Sequence, residues 1–246
     1  MKTCHLFAGG GGGILADLIL GHKPIYAIES NSYACDILRE RFPTVHVIES
    51  DIREVDFSLL AGVDAICAGF PCQDISAAGT GAGLGGERSG LFYEVIRAID
   101  TIEPEYVFLE NSPRIRTRGR DIVITELVAR GYAWRDGILG AADVGAPHQR
   151  DRWWLLARRT DANGMRELRQ APAHPQSPRL SERKAESASA FAGSQCRYPA
   201  RGWWTTEPGL GRMAHGVANR PHRIRLLGNG QVPLAAALAW RLLGGP

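Results

Sequence analysis

Apolar and polar positions follow two alternating rhythms along the first 157 residues. Short apolar runs rich in β-branched or aromatic residues recur at 3–9 (TCHLFAG), 25–30 (IYAIES), 45–50 (VHVIES), 64–70 (DAICAGF), 105–111 (EYVFLEN) and 152–158 (RWWLLAR). Several close on Gly, Asp or Asn, so each predicts a strand. Between them, 13–21 (GILADLILG), 32–42 (SYACDILRERF), 91–102 (LFYEVIRAIDTI) and 121–131 (DIVITELVARG) space their apolar residues as one helical face does. Glycine or proline follows several of these runs, as at helix ends. Strand–helix alternation on this scale predicts an α/β fold, a mostly parallel, doubly wound sheet with helices on both faces. Ligands of such sheets bind at the carboxyl ends of the strands.

The texture changes near 160. Residues 160–201 are rich in Ala, Ser, Pro, Arg and Gln with little periodicity, and read as an irregular insertion or minimal subdomain. Order returns at 202–217 (GWWTTEPGLGRMAHGV), and 232–245 (VPLAAALAWRLLGG) predicts an amphipathic helix after Pro233.

Composition narrows the class. At 246 residues and 44% hydrophobic, the chain suits one large domain or one domain with a small insertion. No stretch approaches the ~20 apolar residues of a membrane span, and the first residues do not read as a signal peptide. The five cysteines are odd in number and form no CxxC pair. Neither a disulfide framework nor a zinc cluster is expected, and a reducing cytosol is the simple reading. The formal net charge of +3 conceals a division: residues 1–149 carry −7 and residues 150–225 carry +9, nearly all of the latter arginine. Arginine forks match phosphates and guanine edges, so the basic segment points to a polyanion rather than to a merely solvated face.

Two constellations carry chemistry. Gly9 to Gly13 lie between the first strand and the first helix, where backbone can approach a ligand closely. Glu29 closes the second strand, where an acid takes ribose hydroxyls, and Asp51 closes the third. Together they suggest a nucleoside cofactor; NAD, FAD and S-adenosylmethionine all fit, and a tight glycine turn with two solvated acids is the bland alternative. The second constellation is Cys72 after the fourth strand, Glu110 after the fifth, and Arg150 and Arg152 before the strand at 152–158. Cys67, a little earlier in the same run, reads as a packed core thiol. Cys72 alone would read that way too, but a thiol, a carboxyl and two cations converging on one rim favour chemistry.

These motifs resemble the DNA (cytosine-5) methyltransferase family. In order, LFAGGGGG resembles its cofactor loop, Glu29 and Asp51 fall at its adenosine-binding acids, GFPCQDIS is very close to its nucleophile motif, and ENSPR resembles ENV with Ser112 for valine. PHQRDR resembles QxRxR with His148 at the glutamine position, and LLGNGQVP resembles the last motif. The region between 158 and that last motif is short for the family.

The resemblance implies a Rossmann-like S-adenosylmethionine-dependent methyltransferase fold with three parts. A catalytic, cofactor-binding domain spans 1–159, a short target-recognition region 160–212, and a C-terminal segment and helix returning to the first lobe 213–246. It implies methyl transfer from S-adenosylmethionine to carbon 5 of a flipped cytosine in double-stranded DNA. Cys72 would be the nucleophile and Glu110 the acid, with Arg152 on the cytosine carbonyl and Arg150 on the nucleophile side or a phosphate. Cofactor contacts are implied for Phe7, Gly9, Gly11, Glu29, Asp51, Ile52, Pro71 and Asn229, and substrate contacts for Gln73, Ser76, Arg88 and Asn111, with no metal. The glycine-rich 76–90 loop would close over DNA. A monomer in the cytoplasm of a bacterial or phage-infected cell, paired with a cognate restriction endonuclease, completes the expectation. The alternatives left open are an RNA cytosine-5 methyltransferase, a nicotinamide or flavin oxidoreductase, and an inactive DNA-binding homologue.

Overall fold

Burial on both faces explains why the strands read as continuous apolar runs rather than alternating ones. In the computed structural model, which describes residues 1–71, 90–160, 179–180 and 220–246, seven strands form one sheet. They are β1 (Lys2–Leu6), β2 (Lys23–Glu29), β3 (His46–Glu49), β4 (Ala65–Gly69), β5 (Tyr106–Asn111), β6 (Tyr132–Leu139) and β7 (Arg152–Arg159). Their order is β3-β2-β1-β4-β5-β7-β6. The first five run parallel, and β7 is antiparallel to both neighbours.

Helices α1 (Gly12–Leu20), α2 (Ser32–Arg41), α3 (Leu91–Ile102) and α5 (Arg120–Ala129) take the segments whose spacing predicts them, and a short turn, α4 (Ile115–Arg118), precedes α5. Near the end come α6 (Arg220–Asn229) and α7 (Pro233–Leu242). Alternate residues of each strand feed opposite cores. On β5, Val107 and Leu109 pack with Phe92, Val95, Ile96 and Ile99 of α3, while Tyr106 and Phe108 pack with Ala236, Ala239 and Trp240 of α7. Proline at the first position of α7 has the fixed φ a helix start needs and no N–H to leave unbonded.

Two elements differ from the pattern-based expectation. Strand β6 has Arg135-Asp136-Gly137 in its middle, which breaks the apolar run. Buried Asp136 is satisfied there: it accepts from Arg120 Nε at 2.7 Å and from Trp153 Nε1 at 2.7 Å, and the Arg120 guanidinium lies 4.9 Å from the Trp134 ring centre. The pair is intelligible only once α5, β6 and β7 are packed together. Helix α6 sits where the sequence shows a glycine-containing motif and weak apolar periodicity.

A second buried polar group fastens α1 under the sheet. Asp17 accepts from the Thr3 hydroxyl, pairs with His5 Nε2 at 2.7 Å and with His22 Nδ1 at 3.0 Å. Burial alone would push this carboxyl up, but His5, His22 and Thr3 overcome it and hold it well below the usual carboxylate range. Its contribution to stability is therefore present above the unfolded value near 4 and is lost only as pH falls through the depressed folded value. Asp17→Asn should lower unfolding free energy at pH 7 by about 3 kcal/mol. Denaturant melts should show that deficit shrinking only in strong acid.

Candidate active site

The carboxyl ends of β1, β2, β4 and β5 open into one cleft of about 550 Å3, within the range of cofactor sites. Phe7, Gly9, Glu29, Asp51, Ile52 and Pro71 line one part of it. Glu110, Asn111, Arg152 and Asn229 line the rest, with His222 and Leu226 of α6. Most residues expected from sequence thus share one cavity, although they come from segments more than 200 positions apart. A wider, more open depression of about 900 Å3 between Lys2, Tyr26, His46 and Leu59 holds none of them.

The glycine run divides into two functions. A Cβ on Gly9, which lines the cleft, would meet nothing within 4 Å, so its backbone leaves space there; Gly10 is equally open but is not part of the lining. Gly11 does not line the cleft. It has φ +84°, and a Cβ there would stand 2.4 Å from Phe42 Cε2, so its glycine serves the turn and helix packing. Gly12 and Gly13 face Gln231. Just before the run, Phe7 takes φ 56°, a left-handed conformation that costs a bulky side chain on the order of 1 kcal/mol.

The two acids first hold the walls of the cleft. Glu29 Oε2 accepts from Gly9 N at 2.8 Å, and Oε1 accepts from Ser30 N and Asn31 N at 3.0 and 2.9 Å. This carboxylate therefore fixes the glycine turn, and its two oxygens still have room for one more donor. Asp51 caps the turn after β3 and forks onto Arg53 at 3.0 and 2.6 Å, and those Arg53 hydrogen bonds lower it to about 2.

Glu110 lies at the floor, at the end of β5. Burial pushes its carboxyl up from the ordinary value, against the pull of Arg152, Arg150 and a hydrogen bond from Gln231. Arg152 Nε sits 2.8 Å from Glu110 Oε1, and its NH1 donates to the Asp151 carbonyl at 2.9 Å. Arg150 turns elsewhere: its NH2 donates at 2.7 Å to the carbonyls of both Gly228 and Gly230, clasping the turn between α6 and α7. It does not line the cleft.

Asn111, only 2% exposed, donates from Nδ2 to the Phe70 carbonyl at 3.2 Å and accepts from Ser112 N at 2.7 Å. That fixes the backbone immediately before Pro71. Cys67 is buried and its thiol is pushed well up by burial, in keeping with a packed residue. Its sulfur, His5 and Asp17 lie within 4.8 Å of one another, but both Asp17 oxygens are already taken by Thr3, His5 and His22.

Cys72, Gln73, Ser76 and Arg88, the 76–90 loop up to residue 89 and nearly all of the 160–212 region lie outside the described residues. Within that region, Leu180 is fully buried among Leu139, Trp154 and Trp240, and Arg179 pairs with Asp151 at 3.2 Å.

Sequence reasoning passed over several residues of the site. Gln231 stood inside the last motif, LLGNGQVP, with no role of its own, and His222 lay four residues before it with no signal. Arg97 braces the cleft wall by donating to the Ile52 carbonyl at 2.7 Å and the Val55 carbonyl at 2.9 Å, which helical spacing alone does not reveal.

A family model described as C-5 cytosine-specific DNA methylase matches residues 1–195. The type II methyltransferase M.CviJI of Paramecium bursaria Chlorella virus IL3A is 35% identical over 161 residues, 65% of this chain and 44% of that protein. M.HhaI of Haemophilus parahaemolyticus is 31% identical over 167 residues, 66% of this chain and 50% of the relative. A crystal structure of a Spodoptera frugiperda DNMT2 mutant shares the fold, with a TM-score of 0.56 at 23% identity over 65% of this chain and 50% of that one. The chain spans about half the length of the curated relatives it matches.

Arg150→Met should leave the sheet intact but release the Gly228–Gly230 turn. Hydrogen exchange of amides 228–231 should quicken about 10-fold, with core strand amides unchanged.

Proposed function

The chain belongs to the C-5 cytosine-specific DNA methylase family, and on that premise we propose that it methylates carbon 5 of a flipped cytosine in duplex DNA, using S-adenosylmethionine. The observation that carries the proposal is Glu110: a buried carboxyl, its pKa pushed up by that burial, set beside Arg152 in the same cleft as Gly9, Glu29 and Asp51.

The cleft suits the cofactor. The open space beside Gly9 admits a ligand close to backbone, Glu29 can accept from a ribose hydroxyl, and Phe7, Ile52 and Pro71 offer apolar surface to an adenine. When bound, S-adenosylmethionine supplies an electrophilic methyl group on a sulfonium. The protein's own residues make the ring receptive. The Cys72 thiolate attacks carbon 6, and Glu110 gives its proton to ring nitrogen 3, so no net negative charge builds on the base. An unperturbed thiol ionises near 8.5, so the attack requires a site that favours thiolate. Arg152 steadies the Glu110 carboxyl and holds the cytosine carbonyl. Once carbon 5 carries its methyl group, a base, for which water suffices, takes the carbon 5 proton, the Cys72 thiolate leaves carbon 6, and ring nitrogen 3 returns its proton to Glu110, so both groups are ready for another turnover.

The proposal extends to the rest of the molecule. Residues 1–159 form the catalytic part, 160–212 the recognition region, and 213–246 the returning segment. The basic 150–225 stretch faces DNA phosphate, and Gln73, Ser76 and Arg88 contact the substrate strand. A cognate restriction endonuclease is the protein partner suggested by the type II relatives. Among the described residues no helix is long and apolar enough to cross a membrane.

Expression in a methylation-free host followed by bisulfite sequencing should reveal 5-methylcytosine at one recurring sequence. Unmodified host DNA alongside methylated transfer RNA would instead favour the RNA enzyme. Cys72→Ser should abolish transfer with cofactor affinity within about threefold of wild type. Glu110→Gln should slow it by roughly 100-fold or more, as loss of a general acid does. Wild-type turnover in either variant would sink the assigned role.

A further inference from the structure

Gln231 has no part in the chemistry above, yet three chain positions leave room for it. It follows the Gly228–Gly230 turn, next to the start of α7. A Cβ on Gly12 would lie 2.4 Å from the Gln231 carbonyl oxygen. One on Gly13 would lie 2.7 Å from Gln231 Oε1 and 3.0 Å from His5 Nδ1. One on Gly69 would lie 3.1 Å from Gln231 Nε2 and 2.9 Å from Glu110 Oε2. The amide therefore runs from the start of α1 to the end of β4, with its oxygen toward His5 and its nitrogen toward the acid, to which it is hydrogen-bonded. Glu110 is gripped on both sides: Arg152 holds Oε1 at 2.8 Å, and Gln231 approaches beside Oε2.

We propose that Gln231 is a positioning residue for Glu110: its side-chain amide fixes the carboxyl in the orientation that faces the cleft and makes that orientation depend on docking of the C-terminal segment. The inference rests on Glu110 acting as the acid. A rigid amide locked among three backbone positions suits this task better than a mobile charge, because it orients the carboxyl while adding no charge of its own.

The direction of the pH effect follows. A neutral donor to a carboxylate favours the ionised form, so its removal lets burial raise Glu110 further. An acid that must carry a proton works until pH rises through its pKa, so the alkaline limb of activity moves to higher pH in the variant. The charged groups acting on Glu110 are Arg152 and Arg150 from the β7 side. His5 and Asp17 of β1 and α1, and Cys67 of β4, share a small cavity with Gln231. None of these residues changes in the variant.

The test compares wild type with Gln231→Met, which keeps length and packing but removes the donor. The Glu110 carboxyl is followed by carbon-13 NMR, assigned through Glu110→Gln, and turnover by transfer of tritiated methyl groups to unmethylated bacterial DNA. Expected are a Glu110 titration moved upward, kcat lowered on the order of 10-fold, an alkaline limb moved upward, and S-adenosylmethionine affinity within about twofold of wild type. A Glu110 titration and turnover both equal to wild type overturn the proposal. Should Gln231→Met not fold, Gly13→Ala crowds Oε1 of Gln231 without touching Glu110. It should produce the same upward titration, and an unchanged one overturns the proposal. Wild-type turnover in Glu110→Gln instead removes the acid role itself, which separates failure of the function from failure of this inference.

Discussion

A carboxyl group withdrawn from water at the end of β5 is the constraint on which the rest of the site depends. Burying an ionised carboxylate without partners is so costly that such a group gives up its charge or gathers donors. Glu110 does some of each. Burial keeps its proton affinity high, while Arg152 and Gln231 supply the bonds that make its burial tolerable. Burial strengthens the carboxyl's hold on a proton relative to a solvated glutamate, and the donors keep it from turning as it would in a fully apolar pocket.

The same logic recurs away from the chemistry. Asp17 beneath β1 and Asp136 on β6 are also buried carboxylates, and each is enclosed by donors from other elements. These have a fastening role, one under α1 and one between α5 and β7. Glu110 differs in facing a cleft, so its partners hold it without closing it off.

These differences decide what was legible in the sequence. Strands with apolar residues on both faces, and helices spaced like α3, declare themselves through local pattern alone, so six of the seven strands were readable. The seventh, β6, was not, because Asp136 in its middle is explained only by Arg120, 16 positions earlier, and by Trp153, 17 positions later. The candidate site was readable where residue type and place in a motif suffice, as for Glu29, Asp51, Glu110 and Arg152. It was unreadable where the side chain's direction decides its role. Arg150 and Arg152 are two residues apart, yet Arg152 meets the acid and Arg150 clasps the Gly228–Gly230 turn. Nothing in their spacing distinguishes them. The glycine run likewise announced a close approach without saying to what: Gly9 leaves open space on the cleft, whereas Gly12 and Gly13 leave it for the protein's own Gln231.

That last distinction bears on how the site is assembled. Helix α7 carries alanines at 235, 236, 237 and 239, so it can lie close against the sheet and α1, where Trp240 fills the remaining space against Tyr106, Phe108 and His22. Close docking of this helix carries Gln231 between β1–α1 and β4–β5, and Arg150 secures the turn that precedes it. The environment of the acid is therefore set by segments that lie at opposite ends of the chain. If Gln231 orients Glu110 as proposed, packing of α7 against the sheet and the geometry of the carboxyl at the end of β5 are parts of one structural event.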